Sequence, residues 1–277
     1  MKGWQHGLVS VGIVIVVAIW SLLPFYWLVV TSFKPVGTEF RLPIAYLPDT
    51  VTLDNYATVT EAPFTIQNSI MNSLFVSTTV TIITVFLASL SAYAIARLRF
   101  RYKVQSLILL QIGGMVPPVV VIYPTFILMR EFGLLGTVYS LILPNIAYNI
   151  PLSTWLLTAY FSGLPYELED AAMTDGFSPF SIYWRVMLPL ATPALFSAGI
   201  IAFLGSWGEF ILALTLLLGK REAQTVPAAI MSLSQQFELQ WAWVAAAIVL
   251  SLLPIIAITL VFQRWVVRGL TTGTVKY

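Results

Sequence analysis

Leu164–Pro193, LPYELEDAAMTDGFSPFSIYWRVMLPLATP, is the one long polar island between runs that otherwise read as lipid-facing helix, and its reading decides the architecture. Pro165 suits a first helical position, where its missing N–H costs nothing. Glu167, Glu169 and Asp170 then fall in the opening turn, where carboxylates complement the positive end of the helix dipole. The pattern predicts a short helix that stops at Gly176, the residue best suited to a left-handed cap. Ser178 as cap and Pro179 as first position start a second helix, running to about Leu188. On the first helix Leu164, Leu168, Ala171, Ala172 and Asp175 share a face, and the two alanines leave room for a partner backbone to approach closely. So shallow a face predicts docking rather than a core.

Outward from this island the chain is 58% hydrophobic and 9% charged, against the roughly 25% charged residues of an ordinary soluble domain. That composition predicts an all-α polytopic membrane protein. There is no cysteine, hence no disulfide framework and no thiolate metal site, and the single histidine, His6, makes no cluster. Uncharged apolar runs of spanning length, about 20 residues for a roughly 30 Å hydrocarbon core, lie near 8–33, 68–96, 104–129, 138–161, 192–218 and 241–263. The first is too long for a signal peptide and lacks a small-residue cleavage site, so it reads as a retained span. Six spans in one transmembrane domain, 1–277, put both termini on one side.

Basic residues orient the spans. One side carries Lys2, Arg97, Arg99, Arg101, Lys103, Arg185, Arg264, Arg268 and Lys276; the other carries Lys34, Arg41, Arg130, Lys220 and Arg221. The richer side is cytoplasmic, with the 162–190 loop and the tail 264–277, and the Arg97–Lys103 cluster needs no role beyond topology. The long loop 34–67, with Pro35, Pro43, Pro48 and Pro63, faces outward as an ordered, extended cap.

Within the spans the informative residues are those that cost energy to place there. Glu209 is the one acidic residue inside any expected span. A carboxylate at the centre of a lipid-facing helix costs on the order of 2.5–3.5 kcal/mol, so it needs a partner, a cavity or water. It is either a site residue or a structural residue bonded to a neighbouring helix. Asn145, Tyr148 and Asn149 share a face of the fourth span, with Trp155 below, and Trp207 lies beside Glu209. Amides with aromatic rings suit a sugar, although aromatic residues in membrane helices more often pack or anchor. Seven prolines interrupt four spans, a pattern common where helices line a cavity or move.

Asp170-Ala171-Ala172, three residues, Gly176, nine residues, then Val186-Met187-Leu188-Pro189 resembles the "EAA, three, G, nine, I-x-LP" loop of the permease subunits of bacterial ATP-binding-cassette importers. Asp170 stands where that family has Glu and Val186 where it has Ile, keeping charge and branched apolar character. Leu22–Pro35, the Ala92-Tyr93-Ala94 to Arg97 exit, Met115–Pro118 and Arg268–Lys276 look most like the sugar-transporting branch, specifically the shorter permease of maltose-type importers. The family often has Trp-Asn-Glu where this chain has Trp207, Gly208 and Glu209.

The resemblance implies a location in the cytoplasmic (inner) membrane and a 164–189 loop that is a cytoplasmic coupling element seated in an ATPase subunit. Glu167, Glu169, Asp170, Ala171, Ala172, Asp175 and Gly176 would carry that coupling. It implies a second homologous permease, a dimer of ATPase subunits, an extracytoplasmic binding protein and a sugar as partners. ATP and magnesium would sit at the ATPase subunits and no cofactor on this chain; the tail 269–277 would reach between those subunits.

The residues themselves offer no Gly-rich loop ending in Lys and Ser or Thr, no metal cluster, and no nucleophile with its base at a recognisable spacing. They predict a non-catalytic membrane subunit. Open alternatives are an importer permease for glycerol phosphate or an amino acid, a proton- or ion-coupled carrier using Glu209, and a membrane scaffold.

Overall fold

The computed structural model describes the backbone of residues 2–235 and 240–271 and the side chains of 10–234 and 240–263. The last six residues of the tail, expected between ATPase subunits, lie outside the described residues. In chain order the helices are α1 Lys2–Ser32, α2 Asp54–Thr60, α3 Ile66–Arg97, α4 Lys103–Met115, α5 Pro118–Glu131, α6 Tyr139–Gly163 and α7 Glu167–Thr174. They continue with α8 Pro179–Ile182, a π-helical turn Tyr183–Met187, α9 Leu188–Leu190, α10 Thr192–Trp207, α11 Ile211–Leu216, α12 Val226–Gln235 and α13 Trp241–Thr271. No strand occurs among the described residues.

Among the described residues three helices are long and apolar enough to cross a membrane by themselves: Ser10–Ser32 of α1, all of α3, and Trp241–Gln263 of α13. The expected third span is not one rod. It breaks between α4 and α5, which meet at 91°. Pro117 and Pro118 cause this, since a residue before proline is driven out of the helical region, and Val116 is extended at φ −69°, ψ 121°. The expected fifth span, 192–218, breaks once, and a bend stands just ahead of it. A 76° bend separates Pro179–Leu190 from α10, and α10 ends at Trp207, three residues before α11 begins. The expected fourth span, α6, is 25 residues, about 37 Å at 1.5 Å per residue. Its buried residues include Ser140, Asn145, Ser153, Thr154 and Thr158. Those polar residues lower its mean hydropathy, and it is not among the three helices above.

The chain forms two compact units, 1–67 with 229–254 and 68–228 with 255–277. In the first, the outer loop is tied down locally. Asn55 donates its amide to the carbonyls of Ser32 and Lys34, both at 2.8 Å. Lys34 Nζ lies 4.5 Å over the Trp27 ring and donates to the Ala45 carbonyl. The N–H of Ala242, in the first turn of α13, donates to Glu39 Oε1 at 3.1 Å, placing a carboxylate where the helix dipole favours it.

The second unit has two apolar clusters. One joins Ala88, Ala92, Tyr93 and Ala96 of α3 to Leu157 and Phe161 of α6, Ala172 of α7, and Ile182, Tyr183 and Met187. The other gathers Val76, Val80, Met129, Leu141, Leu212 and Leu216. At Gly205, an added Cβ would stand 2.9 Å from Asn149 Oδ1, so a side chain there would push that amide aside.

Candidate functional site

The polar island folds nearly as its residues demand. α7 begins at Glu167, two residues later than Pro165, because Leu164 is extended at ψ 144° and Tyr166 takes the cap position. Glu167, Glu169 and Asp170 form its acidic first turn. Gly176 has φ +85°, the left-handed conformation that ends a helix and that side chains with a Cβ resist. Ser178 caps α8 by accepting the N–H of Ser181 at 3.3 Å, with Pro179 following as first helical residue.

Two features depart from expectation. The second helix does not run smoothly to Leu188: it loosens into a π turn over Tyr183–Met187. Pro189 has no N–H to give the Arg185 carbonyl, so a regular ladder is already interrupted there. The face expected on α7 also divides. Glu167, Leu168, Asp170, Ala171, Met173 and Thr174 are exposed, whereas Glu169 and Ala172 turn into the chain's own interior. Asp175 sits at the C-terminal cap, exposed.

Glu169 turns inward to meet Arg97, the last residue of α3, whose side chain is fully buried. Arg97 Nε lies 3.5 Å from Glu169 Oε1. The same guanidinium donates from Nη2 to the Leu164 carbonyl at 2.5 Å and stacks 4.3 Å over the Tyr166 ring. One side chain thus holds the entry, the cap and the first turn of α7. Burial pushes the Glu169 carboxyl above its ordinary range; Arg97 pulls it down and Asp170 adds to the rise, with burial the largest effect. A second tie lies deeper, where the Ser89 and Tyr183 hydroxyls are 2.7 Å apart and buried. Arg97, read from sequence as a topological anchor only, therefore does more. Its place as the first of a basic cluster at a helix end was the available signal, but nothing local pointed to Glu169.

The pathway candidates lie on α6 and on the stretch from α10 to α11, with Tyr148 within electrostatic reach of Glu209. Asn145 and Asn149 spend their amide donors on their own helix, on the Leu141 and Asn145 carbonyls at 2.8 Å each. Tyr148 keeps a buried hydroxyl without a hydrogen-bond partner. Trp155 is half exposed at 52%, facing away from the buried side of α6. Trp207 is buried and stacks on Phe203 at 5.7 Å. Glu209 accepts from the backbone N–H groups of Leu212 at 2.7 Å and Ala213 at 3.0 Å, capping α11 where the broken span restarts. A cavity of about 530 Å³ lies elsewhere, between α3, α10 and the end of α13, lined by Thr81, Phe86, Ser89, Tyr183 and Phe196 among others. None of the six pathway candidates borders it. No group of three or more potential metal ligands occurs among the described residues.

Fold and site together define a polytopic membrane protein with broken helices and a short acidic helix exposed on one side and fastened on the other. The chain belongs to the binding-protein-dependent transport system inner membrane component family, matching it over residues 84–272, and is the permease subunit of an ATP-binding-cassette importer. It is 36% identical over 265 residues, 95% of this chain and 94% of the relative, to the trehalose/maltose transport system permease protein MalG of Thermococcus litoralis. It is 37% identical to the trehalose transport system permease protein SugB of Mycobacterium tuberculosis, over 93% of each chain. To the sulfoquinovosyl glycerol transport system permease protein SmoH of Agrobacterium fabrum it is 34% identical, over 92% of this chain and 89% of the relative. Among solved structures it shares its fold with a chain of a bacterial transporter that imports the acidic polysaccharide alginate. The TM-score there is 0.77 at 21% identity, over 95% of this chain and 97% of the other.

Proposed function

We propose that this permease carries an oligosaccharide or a related polar solute, with six spans, both termini cytoplasmic and a second homologous permease completing the pathway. An extracytoplasmic binding protein delivers the solute. A dimer of ATPase subunits, holding ATP and magnesium, drives the cycle by gripping the 164–189 loop. The observation that carries this reading is the divided face of α7: Leu168, Asp170, Ala171 and Met173 are uncovered by the chain's own residues, while Glu169 and Ala172 fasten the helix from behind. The names of the trehalose, maltose and sulfoquinovosyl glycerol relatives support a sugar-like solute.

Carriage driven by a proton through Glu209 has less support, because its carboxylate is engaged by two backbone donors as a helix cap. The test is to purify the chain with its neighbours, identify the ligand held by the binding protein, and measure uptake in proteoliposomes. Uptake should require ATP and the ATPase subunits; uptake that follows a proton or sodium gradient without them overturns the reading.

A further inference from the structure

We propose that Arg97 is a positioning residue that joins the coupling loop to α3, so that a push on α7 moves α3 sideways rather than travelling along the chain into α10. This rests on the coupling reading of the loop.

The joint has two ties and a packed seam between them. At one end a single buried guanidinium touches Leu164, Tyr166 and Glu169. At the other, Ser89 meets Tyr183. The two α3 residues are eight positions apart, about 12 Å along the helix, and Ala92, Tyr93 and Ala96 between them belong to one buried cluster with Ala172, Ile182 and Met187. Small residues on α3 let the loop approach closely, and close packing transmits displacement because interiors hardly compress.

The covalent route forward is softer. From α7 it passes a left-handed glycine at Gly176, a π turn and a 76° bend before α10 begins. Each is a place where helices flex or kink rather than push. Displacing α3 has a direct consequence, since Thr81, Phe86 and Ser89 of α3 and Tyr183 of the loop border the 530 Å³ cavity.

The chain has no cysteine, so Arg97→Cys with Glu169→Cys introduces only two thiols. The test uses the whole assembly, with cysteine-free partner subunits, in proteoliposomes and reads solute taken up per ATP hydrolysed together with thermal stability. Arg97→Gln should lower that ratio roughly tenfold, within the usual range of coupling between sites. Arg97→Lys should recover little, because a compact ammonium does not reproduce the guanidinium's planar fork. The double-cysteine variant should be uncoupled as prepared and regain coupling when a short bifunctional thiol reagent bridges the pair, a recovery that simple stabilisation of the fold would not produce. A normal ratio in Arg97→Gln, or no recovery on bridging a folded double variant, overturns the proposal. If Arg97→Gln does not assemble, Glu169→Gln and Ser89→Ala decide: each removes one tie and should lower the ratio severalfold, and normal ratios in both refute the joint. Failure of the underlying coupling reading looks different, since the wild-type chain would then not retain ATPase subunits at all.

Discussion

Ala171 and Ala172 are neighbours of the same size that the structure turns in opposite directions, so enlarging each should fail differently. Ala172 is 7% exposed and belongs to the cluster with Ala96, Phe161, Ile182 and Tyr183. Ala172→Leu forces three extra carbons into that packed seam, and overpacking of this kind costs typically about 1–3 kcal/mol. For a chain of this size that corresponds to a fall in Tm of roughly 2–4 °C per kcal/mol. Ala171 is exposed, and Ala171→Leu should leave stability within about 0.5 kcal/mol. Its effect should fall on docking instead, because a shallow surface that receives another protein loses fit when a side chain stands up from it. The assay pairs a thermal unfolding curve of the purified permease with recovery of ATPase subunits on affinity purification. Ala172→Leu should shift the curve and keep the subunits on whatever remains folded; Ala171→Leu should keep the curve and lose subunits. The reverse pattern, or subunits retained equally by both, would refute the inward and outward assignment.

Further outcomes follow from single positions. Gly176→Ala should cost about 1–2 kcal/mol, because φ +85° is unfavourable once a Cβ is present, and Gly176→Asn should cost less; urea or thermal midpoints compare them. Glu209→Ala should remove the cap of α11 and lower stability by about 1 kcal/mol, while Glu209→Gln should transport with unchanged dependence on ATP, measured in proteoliposomes. For Glu169 the folded carboxyl titrates above the ordinary value of 4.5, so its contribution to stability is complete below that value and is lost as pH rises through the raised one. The Tm of Glu169→Gln should therefore gain on wild type as pH is raised across that window, and a constant difference would contradict the dominance of burial.

Much of the candidate loop was legible because its signals are local. A proline at a helix start, an acidic first turn, a glycine that must turn left-handed and a serine cap each act within one turn of helix, and each is found within two residues of its expected place. The breaks were only half legible. Pro117 and Pro118 announced an interruption, but that two helices meet there at 91° depends on what they pack against. For the polar residues of α6 and Glu209, composition reports that a group is costly in a membrane, not which neighbour compensates it. In the structure each amide gives a donor to its own helix, and the carboxylate accepts from backbone N–H groups three and four residues on.

By itself the sequence determined that this chain is helical and membrane-embedded, and where one polar loop starts and stops its short helices, since hydrophobicity and helix punctuation are properties of short stretches. Only the tertiary structure decided that Glu169 and Ala172 face inward and that Arg97 holds the loop. The guanidinium and the Leu164 carbonyl are 67 residues apart in the chain, and no local pattern encodes a contact that exists only once α3 and the loop have packed together.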